Sequence, residues 1–257
     1  MPPDVFWSLA ALAYGLVVGS FLNVCVHRLP RGESLVQPGS RCPACGAALR
    51  WYDNIPLASY LVLRGRCRSC RGPISLQYPL IELLTAALFL LAYRQGGLSA
   101  ALLSDLVLLC ALVVLAFIDL HHQLLPNVIT YPGTALGLIF AGILPGRSLG
   151  AALLGAALGF GVLFLFAEIY FRWRGVEGMG LGDAKMMAML GAFLGWQGAA
   201  LALLIASLAG TAVGLGLLLA RRGSLQSALP FGTFLACGGA AAALWGTQWV
   251  EWYGSRF

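Results

Sequence analysis

The sequence predicts an all-helical protein that crosses a membrane about eight times and carries one small cysteine-rich module outside the bilayer. Three observations lead there. Of the 257 residues, 60% are hydrophobic and 10% charged, whereas a soluble domain carries about 25% charged residues. The apolar residues gather into runs at 5–27, 79–93, 100–118, 128–144, 149–171, 183–196, 198–220 and 229–249, and one crossing takes roughly 20 residues, fewer in a short span. Between the first two runs lies a polar insert, residues 28–78, rich in Arg, Pro, Gly and Cys.

The first run reads as a retained helix. Asp4 stands where a secretory signal would be basic, and no small-residue cleavage site introduces a soluble remainder. The Ala/Gly/Leu runs at 149–163 and 198–220 have the small residues that let helices approach closely in lipid. Orientation follows from the basic residues. With the N-terminus outside, Arg28, Arg31, Arg41, Arg50, Arg64, Arg66, Arg68 and Arg71 of the insert fall inside, as do Arg172, Arg174, Lys185, Arg221 and Arg222. Arg94, Arg147 and Arg256 remain outside, a split of thirteen to three. Cytoplasmic loops carry the Lys/Arg excess, so both termini are expected outside an inner membrane. The formal charge of +6 then follows topology and not a nucleic-acid stripe, and no nucleic acid is expected as a partner.

The same topology places Asp119, at the end of the third run, and Asp183, at the start of the sixth, on the cytoplasmic side. Two close carboxylates cannot both ionise easily, so they share a proton, one acting as base and the other as acid. That arrangement activates a water and protonates a carbonyl, which is the chemistry of an aspartic peptidase. The run Gly178-Met179-Gly180-Leu181-Gly182-Asp183 supports it, because glycines allow a substrate backbone to lie close to the acid. Gly180 and Gly182 are therefore candidate substrate-positioning residues, together with Glu82 in the second apolar run.

Cys42-Pro43-Ala44-Cys45 and Cys67-Arg68-Ser69-Cys70 have the spacing of a four-thiolate tetrahedral zinc site. Disulfides are the alternative, but the insert is expected in the reducing cytoplasm. Four protein ligands leave no open position for water, so the zinc is expected to be structural. Cys25, Cys110 and Cys237 lie singly in apolar runs and read as small core residues. His121 and His122 read as interfacial, Lys185 as facing away from Asp183, and Glu82 as a first-turn acid suited to its helix dipole.

Taken together, Gly19 to Asn23, Arg41 to Cys45, Trp51 to Pro56, Ser59 to Cys67, Phe117 to Asp119, Gln123 to Pro126, Ile129-Thr130, Gly180 to Lys185 and Leu194 to Trp196 resemble the bacterial type IV prepilin peptidases. The resemblance implies division into a first helix (1–27), a zinc-binding, methyltransferase-associated insert (28–78) and a peptidase core (79–257). It implies Asp119 and Asp183 as catalytic acids. The implied activity removes the basic leader of type IV prepilins and type II secretion pseudopilins after a glycine. It further implies N-methylation of the new terminus with S-adenosylmethionine, although the sequence has no glycine-rich nucleotide cradle after a strand. Two positions depart from the family pattern: Asn127 stands where an aspartate commonly follows the proline, and Thr233 where a proline is usual. Neither is expected to touch the catalytic positions. Two rivals stand beside this reading, a presenilin-like general intramembrane peptidase and a non-enzymatic zinc-binding transporter or sensor.

Overall fold

A computed structural model describes residues 3–175, 180–220 and 229–256, and among these every named element is helical. The expected sites Gly178, Met179, Arg221 and Arg222 lie outside the described residues. The chain divides into two compact units, Met1–Leu102 and Leu103–Phe257.

In the first unit, α1 (Pro3–Arg28) packs along α3 (Gln77–Gly96). Glycine decides how closely. A Cβ on Gly15 would lie 2.6 Å from the Ala86 Cα, and one on Gly19 would lie 2.7 Å from the Glu82 Cα. The two backbones therefore touch, the contact that replaces hydrophobic driving force between helices in lipid. The buried Asn23 side chain donates to the carbonyls of Gly19 and, across the pair, Tyr78, at 3.2 and 3.1 Å. The insert joins them with little regular structure, two 3₁₀ turns and the short helix α2 (Ala58–Val62). The sequence reading starts the peptidase core at residue 79, whereas α3 pairs with α1 inside the first unit.

The second unit is built from α4 (Ala100–His122), α5 (Asn127–Ile143), α6 (Leu149–Arg174), α7 (Leu181–Leu219) and α8 (Phe231–Gly254). Packed around α7 are α5, α6 and α8. Glycine again sets the approach: a Cβ on Gly155 would meet the Gly191 carbonyl oxygen at 2.6 Å, and one on Gly159 the Met187 oxygen at 2.6 Å. The core between the helices is closed by Leu108, Leu112, Leu115, Met186, Met189, Leu190 and Leu235.

A straight α7 would hold Gly182 and Gly214 about 48 Å apart at 1.5 Å per residue. Both nevertheless face the start of α8: Leu125 lies against both Gly182 and Gly232, while Leu229 lies against Gly214. The chain reverses within α7, at Gly195, whose φ of 70° and ψ of 178° leave the helical region. The sequence separates the sixth and seventh runs at residue 197; the reversal falls two residues earlier, at a glycine able to adopt that backbone.

Four described helices are long and apolar enough to cross a membrane, with α5 a shorter apolar helix. On α6, Leu165, Phe166 and Ile169 project outward and remain exposed. Water would not tolerate a broad apolar face of this kind. This is a multi-pass membrane protein.

Candidate active site and thiolate cluster

Asp119 lies one turn deeper than the sequence suggests, because α4 continues to His122 and does not stop near residue 118. The side chain is buried, at 5% exposure, and Asp183 in the first turn of α7 is at 9%. The two carboxylates lie within electrostatic reach of one another. Leu125, just beyond α4, packs between their supports. Its Cβ would be 3.0 Å from a Cβ on Gly182, and its Cδ1 3.0 Å from one on Gly232, which would also stand 3.0 Å from the Asp119 Oδ2. The bareness of Gly182 and Gly232 thus lets α4, α7 and α8 converge around the two acids. Gly180 precedes α7 in an extended conformation, its carbonyl accepting the Asp183 backbone N–H at 3.1 Å.

Thr233 makes the closest polar contact to the pair. Its backbone N–H donates to the Asp119 Oδ2 at 2.7 Å and its hydroxyl approaches the same oxygen at 3.1 Å, with the Ala116 carbonyl also 3.1 Å away. The expectation that the Thr233 departure stays clear of the catalytic positions is therefore corrected. Thr233 stands in the first turn of α8, where its backbone N–H is shared between the Pro230 carbonyl, 3.2 Å away, and the nearer Asp119 oxygen, and where the helix dipole favours an anion. The departure at the start of α5 is also close by. Lys185 does not simply turn away: its ammonium donates to the Asn127 Oδ1 at 3.0 Å and lies 5.4 Å from the centre of the Tyr131 ring. Asn127 is exposed, whereas the Thr130 hydroxyl one turn on is buried and has no partner among the described residues. His121 and His122 are exposed, and a His121 ring nitrogen pairs with the Phe117 carbonyl at 2.7 Å.

Glu82 belongs to the first unit. It is buried in the second turn of α3, not the first, and accepts the Leu57 backbone N–H at 2.8 Å. Leu57 has a positive φ of 57°, unusual for a branched side chain, so Glu82 fixes a strained point of the insert. Dipole compensation does not explain it. Of the single cysteines, Cys25 is buried as expected, but Cys110 is half-buried and Cys237 exposed on α8; in lipid an exposed apolar thiol needs no core.

The four cysteines of the insert converge. Their sulfurs lie within 4.8 Å of one another, with Cys42 and Cys70 3.9 Å apart. Four thiolates about 2.3 Å from one tetrahedral ion stand about 3.8 Å apart, so the cluster fits a metal ion. Each pair sits on a similar knuckle. The Gly46 N–H returns to the Cys42 carbonyl at 2.9 Å and the Arg71 N–H to that of Cys67 at 3.0 Å, both residues at positive φ. Backbone N–H groups of Cys70 and Ser69 draw the Cys67 thiol down to about 6. Cys45, despite a backbone N–H from Ala47, is pushed up to about 11 by the neighbouring Cys42 and Cys70 sulfurs. Sulfurs this crowded cannot all ionise without a cation between them.

Comparison with known proteins agrees with this geometry. Residues 13–95 match the bacterial peptidase A24 N-terminal domain, and residues 106–215 match the type IV leader peptidase family. The chain is 40% identical to a prepilin leader peptidase/N-methyltransferase of Aeromonas hydrophila, over 99% of this chain and 96% of that protein. The chain belongs to the type IV leader peptidase family. Leader peptidases of the same description in Pseudomonas aeruginosa and Myxococcus xanthus are 40% and 50% identical. They cover 95% and 85% of this chain, and the match spans 92% and 66% of their own lengths. No solved structure matches. Asp119 and Asp183 both fall inside the leader-peptidase match, and the four cysteines inside the N-terminal one.

Proposed function

We propose that the protein is an inner-membrane enzyme that removes the basic leader from type IV prepilins and type II secretion pseudopilins after a glycine, then methylates the new N-terminus. The observation that carries the peptidase half is the burial of Asp119 and Asp183 together at one end of the second unit. In the reaction one carboxylate accepts a proton from water as its oxygen attacks the scissile carbonyl. The other gives a proton to the carbonyl oxygen; as the tetrahedral species collapses, the first carboxyl passes water's proton to the leaving nitrogen and the second recovers its own from the hydroxyl, so the C–N bond breaks and the amine is released. Gly180 leaves room beside Asp183 for an extended substrate, as its open surroundings suggest, whereas Gly182 is packed against Leu125 and serves the approach of the helices. The relatives' description as prepilin leader peptidase/N-methyltransferase supports the substrate class and both activities.

Cys42, Cys45, Cys67 and Cys70 would hold zinc, whose role is to join the two knuckles of the insert. For S-adenosylmethionine, no strand and no glycine-rich strand-to-helix turn exists among the described residues, so the donor needs a different kind of pocket. The chain crosses the membrane eight times, α7 contributing two crossings, with the termini outside and the acids at the cytoplasmic face; the thirteen-to-three division of basic residues supports this orientation.

The decisive experiment incubates the purified enzyme with a prepilin and S-adenosylmethionine and weighs the product. Loss of the leader together with one added methyl group is expected; an intact leader would refute the proposal. The presenilin-like rival shares the acids but has no need of the thiolate cluster. Cleavage of apolar helices lacking a basic leader, at a rate matching prepilin, would favour it.

A further inference from the structure

The pair of acids is not symmetric, and the asymmetry comes from Thr233. One oxygen of Asp119 receives the Thr233 backbone N–H at 2.7 Å and lies 3.1 Å from its hydroxyl. No donor among the described residues is hydrogen-bonded to the Asp183 carboxylate, which lies within electrostatic reach of Asp119. Each acid also stands at a helix N-terminus, Asp183 in the first turn of its own α7 and Asp119 against the first turn of α8. The dipoles therefore favour charge on both alike. What separates the two is direct donation, and hydrogen bonds to a carboxylate favour its charged form.

We infer that Thr233 is a positioning residue that holds Asp119 as the proton-poor member of the pair, so that Asp119 is the base toward water and Asp183 carries the shared proton. This rests on the two-aspartate peptidase reading above. The backbone N–H occupies Oδ2, and the hydroxyl, whose one proton is shared between Oδ2 and the Ala116 carbonyl, ties that oxygen to α4 and fixes the carboxyl plane, leaving the other oxygen, Oδ1, for water. Other polar groups nearby do not compete for that role. Lys185 is engaged by Asn127, and His121 and His122, one turn from Asp119 on α4, are exposed, with a His121 ring nitrogen turned to the Phe117 carbonyl. A proline at this position would have neither the N–H nor the hydroxyl.

Three variants of the full-length enzyme test it in a prepilin cleavage assay. Thr233→Val removes the hydroxyl at nearly constant volume and keeps the backbone N–H. It is expected to lower kcat about tenfold, the size of one hydrogen bond to a charged group, with KM changed less than about twofold. Thr233→Ser restores the hydroxyl and is expected to return kcat to within about threefold of the parent. Asp119→Asn is the reference. If Asp119→Asn is inactive but Thr233→Val keeps the parent kcat, the positioning role is wrong and the two-aspartate reading stands. If Asp119→Asn still cleaves, that reading itself fails. A fall in kcat that serine does not restore, accompanied by a lower melting temperature, assigns Thr233 to packing alone and overturns the inference.

Discussion

Asp119 and Asp183 reach one end of the second unit from different helices, and among the described residues no other carboxylate stands beside them. Asp119→Asn or Asp183→Asn is expected to cut leader removal by roughly 10²–10⁴-fold or more, the range lost with a general acid or base, while the protein still inserts into membranes. Turnover by either purified variant at the parent rate would remove that residue from the chemistry. Glu82, in the first unit, holds the Leu57 N–H. Glu82→Ala leaves that donor unpaired at a cost of about 1–3 kcal/mol. Limited proteolysis should then nick the insert faster than in the parent, and an unchanged pattern would show that the bond is dispensable. Residue identity was legible in the sequence where chemistry dictates spacing. Two Cys-x-x-Cys pairs announce a thiolate cluster, and an aspartate after Gly-x-Gly announces a site. Thr233 was not legible, because its role depends on which helix end meets Asp119 across 114 residues of chain. The one available signal was the departure at Thr233 from the pattern that the resemblance implies.

At the level of the helix, small residues set the geometry. Gly155 meets the backbone of α7, whereas Gly142 on α5 has open space around it. Gly155→Ala should force α6 from α7 and cost more than the about 1–3 kcal/mol of ordinary overpacking, since the obstructing atoms are backbone. Gly142→Ala should instead be neutral or stabilise by about 0.5–1 kcal/mol from helix propensity. Melting temperatures in detergent distinguish the two, and equal shifts would mean that the close approach of α6 and α7 contributes nothing. Within the insert, double replacement of Cys42 and Cys45 by Ser should abolish zinc in a metal assay, and a parent protein free of zinc would defeat the assignment. Helix positions were readable from apolar runs to within a turn at nearly every end. Less readable was the last turn of α4, where His121 and His122 continue the helix beyond the apolar run and so draw Asp119 inside it.

For the whole molecule, the basic residues specify orientation before any packing exists. Cysteine placed at Pro145 is expected to react with an impermeant thiol reagent added outside spheroplasts, and cysteine placed at Glu33 to react only after lysis. Both residues are exposed, so labelling in the opposite order would reverse the topology. The eight runs read correctly as helical segments. The division into units at Leu102 was hidden, because hydropathy ranks segments by lipid solubility and says nothing of which neighbours they choose.

Arg147, between α5 and α6, donates to the Ser104 hydroxyl at 2.9 Å, the Phe193 carbonyl at 3.1 Å and the Asp105 carboxylate at 2.9 Å. One guanidinium thereby staples the starts of α4 and α6 to the last turn before the reversal at Gly195. The far rim of the bundle is latched shut. A polypeptide seeking the acids is expected to part the helices from the other rim, as pages part from the fore-edge of a bound book, so loosening the spine should widen what the enzyme admits.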